Sequence, residues 1–174
     1  MKKTEDNLNI FDYHAQKAAD VSRPLAERLR PQKLAEFVGQ LHAVGEGTLI
    51  HNAIEHDRIL SMILWGPPGC GKTTLARIIA GETRSHFIHF SAVLSGVKHT
   101  RGVIDQAREP QQLDRKQTIL FVDDPHRLNN AQQDAYSHHV ESGLITLIGA
   151  TTENPSFEVI SPLLSRCRVI TLNM

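Results

Sequence analysis

The chain has little that would support several common classes of protein. It holds two cysteines, Cys70 and Cys167, with no C-x-x-C spacing and no ligand cluster around them. Nor does a positive, apolar, small-residue leader follow Met1, so a disulfide-stapled secreted fold is not expected and the pattern points to a reduced cytosolic protein. Lys+Arg and Asp+Glu balance at 19 each, which excludes a strongly basic wrapper of nucleic acid and an acidic tail protein. Any grip on DNA must be local. Aromatics are scarce at 5%, and no basic groove studded with them is evident for single strands. The longest apolar stretch, Ile59 to Trp65, is broken by Ser61 and is far too short to span a bilayer, so no membrane is expected. There is no internal repeat or low-complexity tract.

What remains is ordinary globular composition, 40% hydrophobic over 174 residues, a length that suggests one domain with a real core. Residues 1–22 mix charges with scattered apolar positions and read as a weakly ordered lead-in. From Arg23 the prolines at 24 and 31 alternate with Leu25, Leu29, Leu34 and Phe37 as far as Val38-Gly39-Gln40, a pattern of short turns or helices. A helix is predicted over about Gly47 to Asp57.

Four apolar runs then recur, at 62–65, 87–90, 119–122 and 144–150, with Val169 to Leu172 offering a fifth. Helical stripes lie between them, one through Leu75, Ile78 and Ile79 and another through Leu128, Ala131, Ala135 and Val140. Strands alternating with helices predict an α/β fold with a parallel sheet covered on both faces, and the near-continuous runs at 119–122 and 144–150 predict central strands.

Gly66-Pro67-Pro68-Gly69-Cys70-Gly71-Lys72-Thr73 fits the P-loop pattern G-x-x-x-x-G-K-[ST] and lies between a predicted strand and a predicted helix. Glycines 69 and 71 free the backbone to aim successive N–H groups at one point, and the helix N-terminus adds partial positive charge for phosphate oxygens. Lys72 is placed for the β- and γ-phosphates and the Thr73 hydroxyl for Mg²⁺, with Thr74 following. The alternative is a glycine-rich turn that merely joins strand to helix, but a chance match to the full pattern in a chain this long is on the order of one in a hundred or fewer. Asp123-Asp124 follows the apolar run 119–122. The first carboxylate is expected to serve the metal and the second to orient the attacking water.

Arg30-Pro31 through Gln40, the P-loop, Asp123-Asp124, Gly149-Ala150-Thr151-Thr152-Glu153-Asn154-Pro155 and Leu164-Ser165-Arg166-Cys167 together resemble an AAA+ ATPase. Asn129 to Ala135 and Thr151 to Glu158 resemble the replication-associated recombination protein A group in particular, over about residues 23–172. The resemblance implies a P-loop core over 23–174 with strand order 5-1-4-3-2, ATP and Mg²⁺ as cofactors, and Val38 and Gly39 beside the adenine. Pro67, Pro68, Gly69, Cys70, Gly71, Lys72, Thr73 and Thr74 would hold the nucleotide, with Thr73 and Asp123 on the metal. Thr152 would be a polar sensor, Asp124 the acid beside the water, and Arg166 a finger reaching a neighbouring subunit's nucleotide. It also implies DNA-stimulated hydrolysis at single-strand/duplex junctions of stalled forks, with DNA and single-strand-binding protein as partners, in the cytoplasm at the nucleoid.

The chain departs from the family in two ways. The family places Glu where Asp124 stands, and Pro125 follows; the shorter carboxylate falls back by about 1 Å, and Pro125 should push Asp124 toward extended backbone. The chain also stops at Met174, before the family's helical lid and oligomerisation region. Hydrolysis is therefore expected to be impaired, and the alternative reading is a truncated or degenerate nucleotide-binding protein with little turnover. A small P-loop kinase fits less well, because Thr151-to-Pro155 and Ser165-to-Cys167 have no place in one. The ten histidines suggest no metal site: His86 and His89 fall on opposite faces of a strand, and His138 and His139 diverge on a helix. His126 and Arg127, after the acidic pair, are candidates for coupling to DNA or a neighbour.

Overall fold

The computed structural model describes residues 24–91, 102–108 and 116–174, so the lead-in over 1–22 lies outside the described residues. The chain divides into two compact units, Met1–Arg30 and Pro31–Met174. In the first, helix α1 (Leu25–Arg28) carries Glu27, whose carboxylate accepts from Arg30 Nη2 at 2.6 Å.

The second unit holds a five-stranded sheet in the order β2-β3-β4-β1-β5, the expected 5-1-4-3-2 read from the other edge. Its strands are β1 (Met62–Trp65), β2 (His86–Ser91), β3 (Thr118–Asp123), β4 (Thr146–Thr151) and β5 (Arg168–Thr171), and every pairing is parallel. Parallel neighbours need crossovers, which helices supply. Those between strands are α4 (Lys72–Glu82), α5 over 102–108, α6 (Asn130–Glu141), α7 (Pro155–Glu158) and α8 (Ser161–Leu164), while α2 (Leu41–Val44) and α3 (Leu49–Glu55) precede β1.

Side-chain alternation sorts the core into two layers. Met62, Leu64, Ile119, Phe121, Ile148 and Ala150 face α3 and α4, where Ile50, Ala53, Leu75 and Ile79 meet them. Ile63, Leu120, Val122 and Leu147 face the other way, toward Val103, Ile104, Tyr136 and Leu163. Burial on both faces is why β3 and β4 read as continuous apolar runs, and each fully buried aliphatic side chain contributes about 1.5–3 kcal/mol. Among the described residues no helix is long and apolar enough to cross a membrane.

One helical stripe differs from expectation. The buried face of α6 is Gln132, Gln133, Tyr136 and Ser137, while Ala131 is exposed. The two glutamines are buried because they are bonded. Gln132 completes a capping box with Asn129, and Gln133 donates to the Leu128 carbonyl at 3.2 Å and accepts from Ile160 N–H at 2.9 Å. Gln133 thereby fixes the segment between β4 and β5.

Candidate nucleotide-binding site

The site forms where β1, β4 and β3 end side by side. Trp65 pairs with Thr151, and Asp123 with Ala150, so β4 stands between the P-loop and the acidic pair. Neighbouring strands lie about 5 Å apart, which sets the loop and the acids about 10 Å from each other across the β4 tip. Two backbone bonds tie this edge together: Gly66 N–H donates to the Thr151 carbonyl at 3.2 Å, and Asp124 N–H to the Ala150 carbonyl at 2.9 Å.

The loop closes on Gly71, which caps α4 in the left-handed region (φ 96°) without a side-chain cap bond. A Cβ at Gly71 would also meet the Phe37 ring at 2.8 Å, so both the conformation and the close approach require glycine. Phe37 therefore packs the segment before Val38 directly onto the loop. Lys72 folds across the loop, and its ammonium donates to the carbonyls of Gly66 at 2.7 Å and Pro67 at 2.8 Å. The half-exposed Cys70 has its Sγ 3.8 Å from the same ammonium.

Across β4, Asp123 is exposed at the end of β3, and Asp124 is half-buried. Asp124 is not extended: it is left-handed, at φ 53° and ψ 65°. A residue before proline avoids the right-handed helical region, and Asp tolerates the left-handed one better than most residues. That turn lets its N–H reach Ala150 and leads into the 3₁₀ turn Pro125–Arg127, whose buried proline starts it. The Asp124 carboxylate lies beside the Arg127 guanidinium, with Nε at 3.7 Å, and His126 Nδ1 is 4.0 Å away.

At the β4 tip the two threonines divide. Thr151 turns inward and its hydroxyl accepts from Glu153 N–H at 3.0 Å, whereas Thr152 is exposed and its carbonyl accepts from the Trp65 indole at 3.3 Å. Thr152 is thus the exposed threonine at the end of β4, the strand between the loop and the acids.

A cleft of about 720 Å³ opens beside the loop, lined by Phe37, Val38, Gly39, Gly69, Gly71 and Thr74 among others. Val38 is 94% exposed, an apolar side chain standing at the rim with nothing packed over it. The donors around the loop fit a nucleotide and Mg²⁺: glycine backbone and a lysine for phosphate, and a hydroxyl and a carboxylate for a hard cation that keeps much of its water. Among the described residues no three His, Cys, Asp or Glu converge on one point, so a metal here would depend on phosphate oxygens for the rest of its shell.

The family described as "ATPase family associated with various cellular activities (AAA)" matches residues 62–172, the stretch from β1 to the end of the sheet. The chain belongs to the AAA family of ATPases. This AAA chain is 54% identical over 150 residues to replication-associated recombination protein A of Escherichia coli (strain K12), covering 86% of the chain and 33% of that protein. The protein of the same name from Haemophilus influenzae is 53% identical over 149 residues, with the same coverage of 86% and 33%. Among solved structures, the Thermotoga maritima RuvB Holliday junction branch migration motor matches with a TM-score of 0.65 and 33% identity, over 84% of this chain and 48% of that one. The chain spans about a third of the length of the curated relatives it matches.

The AAA fold lines the cleft with Val38, Gly39, residues 68–71 and Thr74, and sets Asp123, Asp124 and Thr152 at the strand ends next to the loop. It does not bring Arg166 to them. Arg166 follows α8 and precedes β5, at the end of the sheet opposite the loop, where it bonds to Pro162 and Glu141.

Three contributors to the site were not foreseen from the sequence: Phe37 as the packing partner of Gly71, Gln40 bonded to Asn173, and His42, whose Nε2 lies 2.8 Å from the Thr171 carbonyl. The last two partners are about 130 residues away, and no local pattern signals such a pairing.

Proposed function

We propose that this chain is the ATP-binding core of an AAA ATPase acting in replication-associated recombination, and that it hydrolyses ATP in response to DNA at single-strand/duplex junctions. One observation carries the reading: the Lys72 ammonium sits in a glycine loop at a helix N-terminus, one strand away from a carboxylate pair. In this reading Lys72 exchanges the Gly66 and Pro67 carbonyls for phosphate oxygens, and residues 67–74 cradle the phosphates. Val38 and Gly39 cover the adenine. Thr73 and Asp123 would hold Mg²⁺, which would offset charge on the phosphates. Asp124 orients and deprotonates the attacking water, Thr152 holds it in line, and Arg166 serves the site of a second copy. The names of the relatives support a role in replication-associated recombination; stalled forks, DNA and single-strand-binding protein as partners, and a place at the nucleoid, are part of the proposal.

A second reading, nucleotide binding with little turnover, is favoured by the state of Asp124. Its short carboxylate is drawn toward Arg127 and His126. Nucleotide binding measured beside single-turnover hydrolysis, with and without forked DNA, separates the two, with Lys72→Ala as the control. Hydrolysis that rises with forked DNA and is lost in Lys72→Ala supports the ATPase reading. Binding without DNA-stimulated hydrolysis overturns it in favour of the second.

A further inference from the structure

Arg166 does not project from the surface. Its Nη1 donates to the Pro162 carbonyl at 2.5 Å and its Nη2 to the Glu141 carboxylate at 2.8 Å, so the guanidinium lies down along its own chain. Glu141 is the last residue of α6, a 12-residue helix. An acid at that position faces the negative end of the helix dipole and is mildly disfavoured there, which a cationic partner offsets.

We propose that Glu141 is a positioning residue for Arg166: it holds and neutralises the guanidinium on its own chain, and Arg166 reaches the nucleotide of a second copy when this pair opens. The inference rests on the reading of Arg166 as a residue that acts across a subunit boundary. Its contribution there is a fixed positive charge offered to a phosphoryl group, and a carboxylate 2.8 Å away cancels that charge. Pro162 alone would not, since a carbonyl carries no net charge and bonds only one guanidinium nitrogen.

The surroundings allow the movement. The side chains of Arg166 and Glu141 are 30% and 60% exposed, and a pair in that much water opens easily. A hollow of about 600 Å³ lies beside them, lined by Leu60, Ser61, Gln117 and Thr146, into which the guanidinium can swing without disturbing the core. Glu141 is thus a bias on Arg166, and the exposure of the pair sets the size of that bias at a few-fold.

The test uses two variants of the full chain. Lys72→Ala keeps Arg166 but lacks the loop lysine, and Arg166→Ala keeps the loop but lacks the guanidinium. Each alone should be nearly inactive, and an equimolar mixture should recover ATP turnover. Glu141→Gln is then added to one copy or the other. In the Lys72→Ala copy, which donates Arg166, it should raise kcat of the mixture about two- to fivefold at unchanged KM. In the Arg166→Ala copy it should change nothing, and Glu141→Asp in the donating copy should restore the original rate.

If the mixture recovers turnover but Glu141→Gln has no effect in the donating copy, or lowers kcat there, or acts equally in both copies, the role of Glu141 is overturned while the reading of Arg166 stands. If the mixture recovers nothing although both variants melt like the parent chain, the reading of Arg166 fails and the proposal with it.

Discussion

Gln40 and Asn173 exchange two hydrogen bonds across 133 positions of sequence: Gln40 Nε2 donates to the Asn173 carbonyl at 2.5 Å, and Asn173 N–H donates to Gln40 Oε1 at 2.9 Å. A side-chain amide here does what a neighbouring strand would do, and it continues the β5 edge one residue past Leu172. Because Gln40 follows Val38 and Gly39, the pair fixes one wall of the cleft to the end of the sheet. Gln40→Ala should raise the Kd for ATP about fivefold, the equivalent of about 1 kcal/mol for two partly solvated bonds. Gln40→Glu should fall between, since a carboxylate can accept from Asn173 N–H but cannot donate to its carbonyl. Titration calorimetry with ATP checks both, and parental affinity in Gln40→Ala would leave the pair without a role at the cleft.

Asp124→Glu should increase hydrolysis about tenfold or more and leave nucleotide affinity unchanged. The longer side chain restores the reach that Asp lacks, in a step where about 1 Å of misplacement costs on the order of 10²-fold. It should also lower stability by up to about 1 kcal/mol, because residue 124 is left-handed and Glu tolerates φ 53° less well than Asp. Single-turnover hydrolysis and thermal melting measure the two effects separately. Unchanged hydrolysis with the expected loss of stability would show that carboxylate reach is not what limits the reaction.

The sheet was legible because buried parallel strands must be apolar on both faces, so the runs at 119–122 and 144–150 announced β3 and β4. The loop was legible because its chemistry needs particular residues at fixed spacing. The face of α6 was not, since it is polar: Gln132 and Gln133 are buried only because they find partners, and those partners lie on segments a periodicity count does not see. The Asn129-x-x-Gln132 capping box was there to be read and marks where α6 starts. Asp124 misled for a different reason. The rule for residues before proline excludes one helical region and leaves two alternatives, and the bond from its N–H to Ala150 selects the rarer one.

His139 gives the molecule a dependence on acid. Burial, the Arg108 charge and the neighbouring His138 together hold its imidazole below the usual value of 6.5. Between the two values the unfolded chain takes up a proton that the folded chain refuses, so folding stability falls as pH drops below about 6.5 and levels off below the folded value. Above 6.5 both states are neutral and the residue contributes no pH dependence. His139→Gln should flatten the fall of Tm between about pH 6.5 and 5 and leave Tm at pH 8 nearly unchanged. An undiminished slope in His139→Gln would assign the acid sensitivity to other groups.

The two thiols should behave oppositely toward an alkylating reagent. Cys167 is buried between α8 and β5, and burial pushes its thiol up to about 12, so in the folded chain it stays protonated and out of reach. Cys70 is half-exposed inside the loop, on the wall of the cleft and 3.8 Å from the Lys72 ammonium. N-ethylmaleimide at pH 7.5 should therefore label Cys70 within minutes and Cys167 only after denaturant is added, as peptide mass spectrometry will show. The label should fill the loop and abolish ATP binding, and ATP present beforehand should slow labelling in proportion to the fraction of sites it occupies. Cys70→Ala should bind ATP with nearly parental affinity and resist the reagent, because the loop needs the backbone at position 70 and not its sulfur. Labelling of Cys70 at a rate indifferent to saturating ATP would mean that the nucleotide does not lie in this loop.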